Sequence, residues 1–84
     1  MFYAILKMVI TMKYERLRNL REDHDLTQEQ IGKLLNVSQR AYSSYESGNR
    51  AIPIEYLSIL ADFYETSVDY LINRTNDMKP YSKP

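Results

Sequence analysis

Cysteine is absent from the 84 residues, which removes disulfides, thiol nucleophiles and thiolate metal sites together. A chain this short without covalent staples relies on efficient helix packing or on a partner subunit. Glycine occurs 2 times and proline 3 times, one of them the last residue, too few turn signals for an all-β fold of this length. The class expected is all-α. Histidine occurs once, as His24 in the acidic run EDHD. One imidazole without a second ligand cluster reads as a solvated helix end, so no metal and no cofactor are expected. With no Cys, one His and no Gly-rich phosphate loop, no nucleophile and base pair has a signature, and no catalytic residue is assigned. The apolar stretch MFYAILKMVITM is broken by Lys7 and Thr11 and falls short of the roughly 18 residues of a membrane span. It has neither a charged leading region nor a small-residue cleavage site, so a cytoplasmic protein with no membrane partner is expected. An excess of charge is missing too. Basic and acidic residues number 11 each, the net charge is +0 and the pI is near 6.6, so any signal for nucleic acid must be local.

What is present fits one globular domain, with 44% hydrophobic and 26% charged residues. Residues 1–12 form an apolar N-terminal arm, rich in β-branched and aromatic residues and locally strand-like; the alternative is an extension upstream of a start at Met8 or Met12. Residues 13–73 carry helical periodicity, and residues 74–84 are a polar tail expected to fray. From Lys13, the positions Tyr14, Leu17, Leu20 and His24 form the stripe of a first amphipathic helix. Thr27 and Gln30 have the spacing of a capping box, with Leu26 placed to staple against Ile31. The second helix then runs to about Leu35, burying Ile31, Leu34 and Leu35. Gly32 within it points to close approach by another helix. Asn36 suits a left-handed helix end, and Ser38 caps a third helix from about Gln39 to Glu46, closed by Gly48. At about 100° per residue, Ala41, Tyr42 and Tyr45 share one face of it, and Gln39, Arg40, Ser43, Ser44 and Ser47 lie opposite. Ile52-Pro53 opens a fourth helix from about Ile54 to Glu65. Leu57, Leu60, Ala61 and Tyr64 form its first apolar group, and Tyr56, Ile59 and Phe63 a second that is surplus to one core-facing stripe. Thr66 and Ser67 cap a short fifth helix carrying Val68, Leu71 and Ile72.

Two short helices joined by a tight turn, a small residue in the first and a polar face without acids on the second, meet the requirements of a DNA-binding helix-turn-helix. The first helix lies across the phosphate backbone, where Gln28 stands beside free backbone donors. The second enters the major groove, where Gln39 and Arg40 can hydrogen-bond base edges.

In these features the run LRNLREDHDLTQEQIGKLLNVSQRAYSSYESGNRAIP, followed by LSILADFYETSVDYLI, resembles the Cro/phage-repressor type of helix-turn-helix, often called XRE-like. About two thirds of the chain, Leu17 to Ile72, is covered. The resemblance implies a compact five-helix, lambda-repressor-like DNA-binding domain over residues 13–73. Gln39, Arg40 and Ser44 match base-reading positions, with Ser43 on the same face. Gln28, Ser38, Asn49 and Arg50 match positions that touch phosphate. Arg21 and Glu46 match a structural ion pair between the first and third helices. Three departures stand out: Asn36 where Gly is usual, Gly32 where Ala is usual, and Tyr42 and Tyr45 where aliphatic residues are common. Both Tyr hydroxyls then need a partner or solvent. Residues 1–50 hold eight basic and six acidic side chains, residues 51–84 three and five, so the half with the motif is the more positive. The function expected is sequence-specific binding of double-stranded DNA by a homodimeric transcriptional regulator, a repressor on a palindromic operator, with Tyr56, Ile59 and Phe63 as dimer interface. The alternative keeps the fold as a protein-interaction module or antitoxin with a protein partner and secondary DNA binding.

Overall fold

Short hydroxyl side chains start three of the five helices that the computed structural model describes within residues 13–81. These are α1 (Glu15–Asp23), α2 (Gln28–Leu35), α3 (Gln39–Ser47), α4 (Ile54–Phe63) and α5 (Val68–Leu71), with no strand among the described residues. The N-terminal arm and its expected strand lie outside them. At α2 the Thr27 hydroxyl accepts from the Gln30 amide at 3.1 Å, and the Thr27 amide donates to Gln30 Oε1 at 2.8 Å, closing the capping box. Ser38 accepts from Ala41 N at 3.0 Å and Ser67 from Tyr70 N at 3.0 Å. Before α4, Pro53 is extended and precedes the first turn, its carbonyl accepting from Tyr56 and Leu57.

With only two glycines, the helices end on other residues in the left-handed region. Asp25, Asn36, Glu65 and Asn73 have φ of 55°, 59°, 56° and 67°. Each helix end pairs the amide after that residue with a carbonyl five positions back, as Val37 N to Gly32 O at 2.8 Å and Thr66 N to Ala61 O at 2.8 Å, the Schellman pattern. Gly48, at φ 85°, ends α3.

Leu17 and Leu20 of α1, Ile31 and Leu35 of α2, Tyr42 and Tyr45 of α3, Leu57, Leu60 and Ala61 of α4, and Leu71 of α5 meet in one core, with Ile52 and Tyr64. Each such aliphatic side chain contributes about 1.5–3 kcal/mol by leaving water. α3 packs against α2 and α1, while α5 packs against α4 and α1. Gly32 sits at the α2–α3 turn as its presence suggested: a Cβ there would lie 2.9 Å from the Val37 carbonyl oxygen.

Several expectations are corrected. Leu34 is 39% exposed rather than buried, because the face of α2 turned inward is centred on Ile31, Gly32 and Leu35. His24, by contrast, is the exposed helix end expected of it, its ring against Tyr64 and its Nδ1 2.8 Å from the Leu20 carbonyl oxygen. α1 starts at Glu15 and α4 ends at Phe63, short of Lys13 and Glu65, while α3 extends to Ser47. The start of the tail is tied to α1. Arg16 of α1 donates to the carbonyls of Tyr70 (2.8 Å) and Thr75 (2.6 Å) and to Asn76 Oδ1 (2.7 Å), its guanidinium 4.0 Å from the Tyr70 ring centroid. Further on, the Tyr81 hydroxyl donates to Asp69 at 2.7 Å.

Candidate nucleic-acid interface

α3 turns Tyr42 and Tyr45 into the core, and this rotation brings Gln39, Arg40, Ser43 and Ser44 together on the outer side. With Gln28 from α2, Ser38 from the turn, and Ser47 and Asn49 from the end of α3, they line an open hollow of about 560 Å³. Among the described residues, Arg40 is its one charged lining residue. The side chains of Gln39 and Arg40 are exposed and make no hydrogen bond or ion pair among the described residues, so their donors are available to a ligand. Ser44 donates to the Arg40 carbonyl and Ser47 to the Ser44 carbonyl, both at 3.2 Å. Their outward capacity is therefore that of acceptors.

Seven of the eight residues expected to face DNA thus share one hollow. Arg50 is the exception, its guanidinium 5.5 Å from the Tyr45 ring centroid. Ser47 was legible on the polar face of α3 without being assigned a role. A second, adjoining hollow of about 250 Å³ was not foreseen. It shares Gln28, Ser43 and Ser47 with the first and adds Lys13, Arg18, Arg21 and Glu46. Its basic residues come from α1 and from Lys13, two residues before it, and only the folded chain sets them beside α3.

An ion pair, largely shielded from solvent, forms part of the wall of the second hollow. Arg21 Nε donates to Glu46 Oε2 at 2.9 Å and Nη2 to Oε1 at 2.8 Å, with side chains 13% and 5% exposed. Arg21 Nη1 also donates to the Leu26 carbonyl at 2.9 Å, and Gln28 Nε2 donates to Glu46 Oε1 at 3.3 Å. Burial pushes the Glu46 carboxyl up, but the Arg21 fork and neighbouring donors outweigh it and hold its pKa below the usual carboxylate value. The Gln28 amide is accordingly not loose: one of its hydrogens is directed to Glu46. The Tyr42 hydroxyl, buried near Glu46, finds neither solvent nor a hydrogen bond of good geometry, contrary to expectation. Burial and the nearby carboxylate charge raise its pKa, and the same causes push Tyr64 up to about 12.

The comparisons with known proteins agree with this arrangement. A family model described as Helix-turn-helix matches residues 17–71. The chain belongs to the XRE-type helix-turn-helix family. It is 39% identical over 69 residues to the uncharacterized HTH-type transcriptional regulator YobD of Bacillus subtilis (strain 168), covering 82% of this chain and 62% of that one. It is 35% identical over 63 residues to the HTH-type transcriptional regulator AnsR of the same strain, covering 75% of this chain and 54% of the relative. To the cryptic phage CTXphi transcriptional repressor RstR of Vibrio cholerae serotype O1 (strain ATCC 39315 / El Tor Inaba N16961) it is 38% identical over 60 residues, 71% and 54% of the two chains. The chain thus spans between half and two thirds of the length of these relatives. No solved structure matches it significantly. The helix-turn-helix itself is α2, the Asn36–Ser38 turn and α3. Of the apolar group on α4, Ile59 and Phe63 are 40% and 44% exposed, while Tyr56 is half-buried with its ring 5.9 Å from that of Tyr45. No helix of the described residues is long and apolar enough to cross a membrane.

Proposed function

We propose that the chain is a cytoplasmic, homodimeric transcriptional regulator, a repressor, whose α3 reads the major groove of a palindromic operator. The observation that carries this is the concentration of unengaged donors on one acid-free hollow: Gln39 and Arg40 beside Ser43 and Ser44. Arg40 is the base-reading cation, suited to the O6 and N7 acceptors of guanine, and Gln39 suits adenine. Ser38 and Asn49 flank this face where phosphates run, and Arg50 stands just beyond it. At the start of α2, Gln28 has a second amide hydrogen beyond the one given to Glu46, next to a helix N-terminus that favours an anion. Ile59 and Phe63, with Tyr56 at their edge, supply the apolar area for a second copy, and the names of the relatives support the regulatory reading.

The test is selection of bound sequences from a random duplex pool, with light scattering to count protomers. A palindrome with half-sites about 34–36 Å apart is the expected result. Arg40→Ala should relax selection at one or two positions and weaken binding to the selected site by about 1–3 kcal/mol. Equal losses on selected and random duplexes would refute base reading by Arg40.

A further inference from the structure

The net charge of zero conceals a segregation. The two adjoining hollows are lined by Lys13, Arg18, Arg21 and Arg40 against a single acid, Glu46, and that acid is consumed by Arg21. What remains is Arg40 on α3, with Lys13 and Arg18 at and before α1, around an opening that is continuous through the shared Gln28, Ser43 and Ser47.

We propose that Lys13 and Arg18 form a second phosphate-binding element, through which α1 grips the DNA backbone beside the strand segment met by α2. The proposal rests on the DNA-binding reading above. Both side chains are accessible, 42% and 53% exposed. Their partners in the free protein are surface acids on α1 itself, Glu15 at 3.5 Å and Glu22 at 3.2 Å, pairings that water and salt weaken. Arg18 spends only Nε on Glu22, so its four Nη hydrogens remain for a phosphate, which accepts in the same forked geometry as a carboxylate. Neither residue is aimed at base edges by α3. They therefore add affinity without sequence preference and leave a signature in salt dependence.

The experiment compares the full chain with the Lys13→Gln/Arg18→Gln double variant on the selected duplex and on a random duplex of equal length, titrated from 50 to 200 mM salt. Each lost phosphate contact lowers the slope of log affinity against log salt by about 0.9, so over this fourfold range the salt-induced loss of affinity shrinks about 3.5-fold per contact and about twelvefold for both. The selected consensus should be unchanged, Arg18→Lys should keep the wild-type slope, and Glu22→Gln, which frees Arg18, should tighten binding to both duplexes. A double variant with the wild-type slope overturns the proposal while leaving base reading by α3 intact. A wild-type chain that binds neither duplex overturns the DNA-binding reading and this inference with it.

Discussion

Removing Arg21 tests the physical account of the recognition face most directly. Arg21→Ala deletes two hydrogen bonds to Glu46 and one to the Leu26 carbonyl, and it leaves a carboxylate that is 5% exposed with only the Gln28 amide at 3.3 Å and the nearby Tyr42 hydroxyl to stabilise it. Breaking one side of a buried pair costs about 3–5 kcal/mol at neutral pH. A domain of this length holds about 4–13 kcal/mol in total, so the loss is a large fraction of its stability. The pH dependence carries the sharper information. In the wild type the Glu46 pKa is depressed, so its stabilisation is present above the unfolded value near 4.5 and is lost as pH falls through the folded one. In Arg21→Ala the forked donor is gone and burial dominates, so the folded pKa is raised. Protonation then relieves the variant as pH falls, while the same fall removes stability from the wild type. Urea unfolding followed by circular dichroism should give a gap that is widest at pH 7 and narrower at pH 4, shrinking by about 1.4 kcal/mol for each pH unit traversed between the two folded pKa values. A gap equal at both pH values would refute the reasoning. If Arg21→Ala is unfolded throughout, Arg21→Lys, which keeps the charge and loses the fork, should show the same trend at smaller amplitude.

Three other perturbations follow from the described geometry. Glu65→Gly places glycine where φ is 56°, so chemical denaturation should show a gain of about 0.5–1 kcal/mol, the relieved left-handed strain exceeding the added freedom of the unfolded chain. Gly32→Ala sets a Cβ 2.9 Å from the Val37 carbonyl oxygen, on a turn already pinned by the 2.8 Å bond from Val37 N to Gly32 O, so it cannot yield cheaply. The overpacking cost of about 1–3 kcal/mol exceeds the roughly 1 kcal/mol gain in helix propensity, and thermal unfolding should show a lower Tm. Arg16→Ala frees the carbonyls of Tyr70 and Thr75 and the side chain of Asn76, and hydrogen exchange should accelerate at residues 70–76 while amides in α2 and α3 keep their protection.

Local chemistry made much of the fold readable. Thr27 with Gln30, Ser38 with Ala41, and Ser67 with Tyr70 are partners three residues apart, so the starts of α2, α3 and α5 are written in adjacent residues. Gly32 announced a close approach because glycine inside a helix costs stability and needs a packing reason. The helix ends were harder: Asp25 and Glu65 adopt left-handed backbone without being glycine, so no residue type marks them. Leu34 illustrates the limit of periodicity, since a helix pattern gives relative angles and only the position of α3 decides which side is covered. Arg16 is further out of reach. Its acceptors lie 54–60 positions away and two of them are main-chain carbonyls, which every residue carries. Lys13 and Arg18 join the opening beside α3 only through the packing of α1 on α3, so a count over half the chain diluted them to a bias of two charges.

The polar junction between α1, α2 and α3 raises the question of why an apolar one does not serve. Leu or Met in place of Arg21 and Glu46 would fill the space and avoid two desolvation costs, and buried pairs often gain little over such replacements. A methyl group, however, accepts no hydrogen bond. Glu46 receives the Arg21 fork from α1 and the Gln28 amide from α2 while standing on α3, so a single carboxylate fixes three helices to one another by direction as well as by distance. Arg40 and Gln39 sit one and a half to two turns up α3 from that anchor. A small rotation of α3 about its axis would re-aim their donors. Hydrophobic contact resists separation but is indifferent to such rotation. The directional bonds to Glu46 oppose it, which gives a physical reason for a buried charge at the junction that sets the orientation of α3.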